Sequence, residues 1–195
     1  GAIYRKHGRP AEAASLYRTA LEQQPDYPAL HFNLGLALSD LADPAAAAES
    51  FRAAIARKPD YAAAHEKLGD ALREQALFDD ALDCYETALQ HEPQRIDAHV
   101  NLATTLQELG RYDDAIARCR TALDIDPDSV TARHSLAHSY WRLERYEDAL
   151  ALFDALDSPT AKARALECLF AMKSFDAFYE RQEHPAPGWA GNLRI

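Results

Sequence analysis

The sequence predicts an all-α solenoid, a stack of short antiparallel helix pairs, and three observations support this fold class. Four prolines recur every 34 residues, at Pro25, Pro59, Pro93 and Pro127. Apolar and small residues keep the same interval, in the columns Leu34, Leu68, Leu102, Leu136 and Ala47, Ala81, Ala115, Ala149. Gly is scarce, with 7 residues, which suits closely packed helices. A unit repeated in this way cannot bury its apolar face alone, so it must stack on copies of itself.

Each unit contains two short helices. Within 62–95, apolar residues fall three and four positions apart, which places them on one helical face. This spacing predicts a first helix over 62–75 and a second over 78–90. The link between them leaves room only for a tight turn, so the two helices must be antiparallel. Pro93 ends the second helix because proline lacks an N–H donor.

Particular residues inside and before the first helices carry structural predictions. Gly35 and Gly69 lie in mid-helix, where each costs about 1 kcal/mol relative to Ala. We therefore expect the second helix to approach these two positions too closely for a Cβ atom. Asp26, Asp60 and Asp128 precede first helices and are predicted to cap their free backbone N–H groups.

The interval is incomplete at both ends of the chain. The opening residues match the unit only from the middle of its first helix. After the fifth copy the period is lost, and Ser158 followed by Pro159 is a strong signal for a new helix. The predicted units are a partial repeat at 1–27, full repeats at 28–61, 62–95 and 96–129, a degenerate repeat at 130–158, capping helices at 159–183, and a tail or linker at 184–195.

These columns resemble the tetratricopeptide repeat (TPR), including the arrays of bacterial scaffold proteins and of O-linked glycosyltransferases. The second full repeat carries the pattern as His65, Leu68, Gly69, Leu72, Ala81, Tyr85, Ala88 and Pro93. The resemblance covers roughly residues 1–156. It implies a right-handed superhelix whose first helices line a concave groove. One departure is His in a column where the family often has Trp.

The resemblance also implies which side chains face the groove. They are Asn33, Lys67, Asp70, Arg73, Asn101, Thr104, Gln107, Ser135, His138, Trp141 and Arg142. This mixture of amides, hydroxyls and charges suits an extended peptide or a partner helix. We therefore expect a non-catalytic protein–protein interaction module without a cofactor. Trp141 is expected either to stack on a ligand side chain or to pack against the terminal cap.

Two recognition modes of this family bear on the groove. Asn33 and Asn101 occupy the position at which arrays attached to O-linked glycosyltransferases bind peptide backbone, although other residues interrupt the series. A clamp for the two carboxylates of chaperone C-termini is not expected. Glu66 and Asp70 occupy its positions and would repel carboxylates.

Charge and hydropathy exclude some classes of partner. Lys and Arg total 21 and Asp and Glu total 31, which gives a net charge of -10. A nucleic-acid ligand is not expected, because phosphate affinity depends on clusters of Lys and Arg. No apolar stretch approaches the ~20 residues that span a bilayer, so no membrane insertion is expected. Without a visible secretory signal, the expected location is cytoplasmic.

Cysteines and paired histidines were candidates for metal or redox chemistry. Cys84, Cys119 and Cys168 are interpreted as small buried residues in a reducing compartment, with a disulfide or metal framework as the alternative. His134 and His138 are four residues apart, a spacing that can present two imidazoles to one metal. No third ligand is evident, so they are interpreted as groove lining and no metal site is predicted.

No catalytic motif is evident in the sequence, so this chain is not expected to be an enzyme. His31, His65 and His99 belong to one repeat column and are interpreted as structural. One alternative is that the repeats recruit substrates for a larger bacterial enzyme of glycosyltransferase, sulfotransferase or oxygenase-like type, and the non-repeat tail with Trp189 motivates it. Another is self-association through an exposed terminal repeat.

Overall fold

The computed structural model describes residues 1–173, and within them all regular structure is helical. The first helices of the pairs are α1 (Ala2–Lys6), α3 (Pro28–Ser39), α5 (Ala62–Glu74), α7 (Ile96–Glu108), α9 (Val130–Arg142) and α11 (Pro159–Ala171). The second helices are α2 (Pro10–Gln23), α4 (Pro44–Arg57), α6 (Phe78–His91), α8 (Tyr112–Ile125) and α10 (Tyr146–Asp154). The predicted all-α repeat fold is confirmed. The helix predicted at 174–183 and the tail at 184–195 lie outside the described residues.

The helices stack in chain order. Each second helix packs between the first helix of its own repeat and that of the next, as α4 does between α3 and α5. First helices also touch each other across repeats, in the pairs α3 with α5, α5 with α7 and α7 with α9. The first helices therefore crowd together along one side of the stack, which forms its concave face.

One buried residue per repeat, aromatic in three of the four repeats, fills the space between the two helices. Phe51, Tyr85, Cys119 and Phe153 occupy this place on successive second helices, and each is at most 1% exposed. An added Cβ atom at Gly35 would lie 2.5 Å from the Phe51 ring. At Gly69 it would lie 2.7 Å from the Tyr85 ring. The predicted close approach at both glycines is confirmed.

The predicted aspartate caps are wrong. The N-cap residues of α3 and α5 are Tyr27 and Tyr61, and neither side chain makes a capping hydrogen bond within the described chain. The N-cap of α9 is Ser129, whose Oγ accepts from the N–H of Ala132. All three predicted aspartates stand one residue before the cap, because α3, α5 and α9 begin at residues 28, 62 and 130 and the residue directly before each start is the N-cap. By contrast, Ser158 caps α11 as predicted.

A side chain at the fourth position of α3, α5, α7 and α9 anchors each of these helices to the preceding turn. In each case a side-chain nitrogen lies within hydrogen-bond distance of the carbonyl oxygen of the repeat's proline. The pairs are His31 with Pro25 at 2.7 Å, His65 with Pro59 at 2.9 Å, His99 with Pro93 at 2.9 Å and Arg133 with Pro127 at 2.7 Å. The structural interpretation of the histidine column is confirmed, and the bond explains why a donor replaces the usual apolar group.

The three cysteines are free thiols. Cys119 and Cys168 are buried and Cys84 is half-buried. Burial raises the pKa of each thiol to about 11. The interpretation of these residues as small packing groups is confirmed, and a disulfide framework is wrong.

The helices are short. The longest among residues 1–173 have 14 residues, about 21 Å at the rise of an α-helix. No helix in this part of the chain combines the length and the apolar character that crossing a membrane requires.

Candidate functional site

The concave groove is built from one strip of side chains on each first helix. Residues three and four apart share a helical face, and packed helices lie about 8–10 Å apart. The predicted groove residues occupy four such strips: Asn33 on α3; Lys67, Asp70 and Arg73 on α5; Asn101, Thr104 and Gln107 on α7; Ser135, His138, Trp141 and Arg142 on α9. Ser135 is buried, Arg142 is exposed, and the others are half-buried.

Asp70 holds the centre of the groove together. Its Oδ2 accepts a hydrogen bond of 2.8 Å from Lys67, and its Oδ1 accepts bonds of 2.9 Å from the Tyr85 hydroxyl and from Asn101 Nδ2. Burial, followed by the charge of Asp70, raises the pKa of Tyr85, so the phenol stays a donor. Because its carboxylate already has three donors, Asp70 positions neighbouring side chains.

The side-chain amide of Asn101 has a fixed orientation. Asp70 can only accept hydrogen bonds when ionised, so it selects the Nδ2 end of the amide. Asn101 Oδ1 makes no hydrogen bond within the described chain, and it is not among the buried unpartnered atoms there. Asn33 is similar, because its Nδ2 donates to the carbonyl of Ala29 at 2.7 Å. Both oxygens remain open to a ligand donor.

From the sequence, Glu66 is expected to repel the carboxylates of a ligand, but the side chain is buried and does not face the groove. Its side chain is 1% exposed and lies 2.7 Å from Arg95 and 3.2 Å from Lys67. Arg95 reaches it from the turn before α7, a contact that spacing along one helix could not reveal. Burial lowers the pKa of Lys67, but the hydrogen bonds and charges of Asp70 and Glu66 outweigh burial and raise it. These charges therefore neutralise one another.

Ion pairs and hydrogen bonds also join neighbouring strips. Arg5 pairs with Asp40 and Arg73 with Glu108, each across 35 residues and at the same positions of the repeat. Between these two pairs, Glu74 is exposed and makes no ion pair in the part of the chain that the structure describes. The rim of the groove therefore alternates between neutralised and free carboxylates.

Gln107 and Ser135 bond to each other. Gln107 Nε2 lies 2.7 Å from the carbonyl oxygen of Ser135 and 2.7 Å from Ser139 Oγ. Thr104 donates to the carbonyl of Val100 in its own helix. These predicted groove residues tie α7 to α9 or satisfy their own helix, which leaves them less free for a ligand than the two asparagines.

An aromatic shelf lines the groove between the first two full repeats. The ring of Phe32 lies 4.9 Å from that of Tyr61 and 5.8 Å from that of Phe51. Lys58 Nζ lies 4.9 Å from the centre of the Tyr61 ring. Sequence reasoning did not include Tyr61, which lies in the turn before α5. The sequence feature that could have indicated Tyr61 is an aromatic residue directly before a first helix.

The groove ends at α11 with a stack around Trp141. Arg164 Cζ lies 4.1 Å from the indole, and the His138 ring stacks on Trp141 at 5.9 Å. Of the two roles expected for Trp141, packing against the cap is the one that this geometry shows. Arg142 lies 4.8 Å from the Tyr112 ring.

His134 and His138 have no further metal ligands grouped with them in the part of the chain that the structure describes. Residues 1–173 hold no cluster of three or more His, Cys, Asp or Glu side chains suited to a metal ion. His134 instead meets the Phe153 ring edge-on at 6.4 Å. Burial, followed by the charges of Arg142, Arg164 and His134, lowers the pKa of His138.

Depressions also occur on the outer face, between successive second helices. One lies between α6 and α8 above Leu82 and Leu102. The charged groups on its walls are already paired, Arg118 with Glu86 at 3.2 Å and Arg111 with Asp114 at 2.7 Å. The concave face therefore offers more open polar groups than this outer depression.

Comparisons with known proteins agree with this geometry. The family described as tetratricopeptide repeat matches residues 1–62 and 35–96, and the family described as anaphase-promoting complex, cyclosome, subunit 3 matches residues 74–156. No curated protein matches the sequence.

Several solved structures share the fold. Pseudomonas aeruginosa PilF is 18% identical with a TM-score of 0.80, over 95% of this chain and 89% of that one. MamA is 22% identical with a TM-score of 0.73, over 88% and 95%. YrrB, described as a TPR protein with an unusual peptide-binding site, is 19% identical with a TM-score of 0.72, over 89% and 95%. From its repeat columns, its stacked helix pairs and the two family matches, the chain is a member of the tetratricopeptide repeat family.

Proposed function

We propose that the chain is a non-catalytic protein-interaction module whose concave groove binds an extended peptide segment of a partner protein. Family membership supports an interaction module in general, and YrrB, of the same fold, is described as having a peptide-binding site. The observation that carries the proposal is the pair of open amide oxygens on Asn33 and Asn101, two repeats apart on one face.

An asparagine side chain matches peptide backbone because it carries both a donor and an acceptor. Asn101 Oδ1 can accept from a peptide N–H, while the second hydrogen on Nδ2 can donate to a peptide carbonyl. Asp70 holds the amide in place before the ligand arrives, which reduces the entropy lost on binding.

The size of the groove suits an extended segment. The first helices from α3 to α11 are five in number, so at about 9 Å per step the groove is about 36 Å long. An extended peptide rises about 3.3 Å per residue, so about eleven residues fill it. The aromatic shelf of Phe32 and Tyr61 would receive an apolar side chain of that peptide.

The proposal is tested by selection from a displayed library of random peptides. The peptides are about twelve residues long, which is enough to fill the groove in an extended conformation. Selected peptides are resynthesised with a fluorescent label, and their affinity is measured by anisotropy. The double variant Asn33→Ala/Asn101→Ala should weaken binding at least about tenfold, or about 1.4 kcal/mol. Gln90→Ala removes an exposed amide from α6 and serves as the matched control.

Two outcomes count against the proposal. One is a selection that enriches no peptide above background. The other is a set of selected peptides that bind the double asparagine variant as tightly as the unchanged chain, while circular dichroism shows that both are equally helical. The second result would move the binding surface away from the concave groove.

A further inference from the structure

We infer that the end of the groove formed by α9 and α11 binds carboxylate groups of an acidic peptide segment, with the guanidinium groups of Arg142 and Arg164 as its main contacts. This inference rests on the proposed peptide-binding function and names the chemistry of the peptide. The cationic end, as we call it, comprises His134, His138, Arg142 and Arg164.

The four side chains share one place in the fold. His134, His138 and Arg142 are spaced by four residues along α9, so they form a single strip. Arg164 is the sixth residue of α11, the place that Ser135 occupies in α9. Its guanidinium reaches the Trp141 indole at 4.1 Å, next to the stacked ring of His138. Two helices therefore bring cationic groups together around one tryptophan.

Little negative charge opposes this cluster. Within residues 1–173, Arg142, His134 and His138 have no carboxylate at ion-pair distance. Arg142 Cζ instead lies over the Tyr112 ring, 4.8 Å from its centre, a cation–π contact. Arg164 pairs at 2.6 Å with Glu167, whose side chain is 50% exposed. Exposed pairs of this kind are weak and can be exchanged.

The environment of His138 supports the same conclusion. Burial is the main cause that lowers its pKa, and the neighbours that contribute are Arg142 and Arg164 followed by His134, each of which disfavours a protonated His138. A bound anion would relieve this repulsion and favour protonated His138. Binding should therefore strengthen as the pH falls.

Charge complementarity decides the occupant. The chain carries a net charge of -10, and the middle of its groove exposes Glu74 and Asp97. An acidic segment would be repelled along most of the surface but attracted to the cationic end. Arginine presents a planar fork of donors that matches a carboxylate in a bidentate way. A peptide whose Asp or Glu side chains lie at the end against α9 and α11 fits this distribution of charge.

The test compares two labelled peptides of about ten residues, long enough to span most of the groove. One carries a cluster of Glu at one end only, and the other has Gln at every Glu. Anisotropy is measured with the full chain and with Arg142→Gln, Arg164→Gln and the control Arg118→Gln, which changes a half-buried arginine of α8. We expect the Glu peptide to bind at least about tenfold more tightly than the Gln peptide, a preference that the first two variants reduce and the control keeps. Circular dichroism verifies folding, and Arg142→Lys, which keeps the charge but loses the fork, should bind with intermediate affinity.

A pH series adds a second readout. The Glu peptide should bind more tightly at about pH 6 than at about pH 8, the range in which imidazole titrates. This gain should diminish in His138→Gln. Equal binding of the Glu and Gln peptides, or arginine variants that behave as the control does, would overturn the inference. Displacement of the Glu peptide by inorganic phosphate at equal concentration would also overturn it, since a free anion would then suffice.

The two proposals fail in different ways. If the asparagine variant loses binding while the Glu preference is absent, the groove binds peptides but not through this end. If the Glu preference depends on Arg142 and Arg164 but not on the asparagines, the inference of an anion site stands. The proposal that the asparagines bind peptide backbone then fails.

Discussion

The side-chain amide of Asn101 donates a hydrogen bond of 2.9 Å to the carboxylate of Asp70, and this bond joins α7 to α5 on the concave face. The oxygen that accepts it, Asp70 Oδ1, also accepts from the buried hydroxyl of Tyr85 on α6. One carboxylate thus connects three helices of two repeats. Its removal should affect both the stability of the stack and the orientation of the groove.

We expect Asp70→Ala to lower the free energy of unfolding by about 1–3 kcal/mol, because the Tyr85 hydroxyl would be left buried without its acceptor. Urea denaturation followed by circular dichroism measures this change. Asp97→Ala, at an exposed carboxylate of α7, is the control and should change stability by less than about 0.5 kcal/mol. Equal effects of the two variants would show that Asp70 is not the hub described above.

The pair Gly35 and Phe51 should show steric coupling. Gly35→Ala improves helix propensity by about 1 kcal/mol, but its Cβ would lie 2.5 Å from the Phe51 ring. Overpacking of this kind costs about 1–3 kcal/mol, so the single variant should be no more stable than the parent. In the background Phe51→Cys the same alanine should be stabilising.

The Phe51→Cys background is chosen because the third full repeat carries Ala103 and Cys119 at the positions of Gly35 and Phe51. A double-mutant cycle measured by urea denaturation yields the coupling energy, which we expect to be at least about 1 kcal/mol. Purely additive effects would mean that the ring moves aside without cost.

Removal of Arg95 should be costly because its partner Glu66 is 1% exposed. Breaking a buried pair from one side costs about 3–5 kcal/mol, and we expect about 2–3 kcal/mol for Arg95→Ala, since Lys67 still pairs with Glu66. Arg118→Ala breaks an exposed pair and should cost less than about 1 kcal/mol. Thermal unfolding of both variants distinguishes the buried pair from the surface pair, and similar melting temperatures would contradict the assignment.

His138 should make stability depend on pH. Its pKa is lowered in the folded chain by burial and then by Arg142, Arg164 and His134, so the unfolded chain binds this proton more readily. Its contribution to stability is therefore complete above the unfolded pKa of about 6.5 and is lost as the pH falls towards and through the lower, folded pKa.

NMR titration of the imidazole measures this directly. The pKa of His138 should rise in Arg142→Gln, because one source of repulsion is gone, and should not change in Arg118→Gln. A His138 pKa that is the same in both variants would show that Arg142 does not contribute to lowering it.

The sequence by itself determined the repeat unit, and the reason is local. A period of 34 residues, helical spacing within each unit and a proline at each boundary leave few alternatives to stacked helix pairs. The close approach at Gly35 and Gly69 also followed from the sequence, because a glycine in mid-helix needs a packing reason. The aspartate caps failed because the N-cap is the residue directly before the helix, and each aspartate stands one residue earlier.

Only the tertiary structure decided which groove residues are free. Asp70, Arg73 and Gln107 appear as open groove positions in the sequence, but each bonds to a neighbouring helix, with partners 31, 35 and 28 residues away. Lys67 is occupied within its own helix, by Asp70 and Glu66. Glu66 likewise becomes a buried ion pair through Arg95, which belongs to the next turn. Stacking brings these distant residues within hydrogen-bond distance, and it leaves the oxygens of Asn33 and Asn101 and the guanidinium of Arg142 open for a partner.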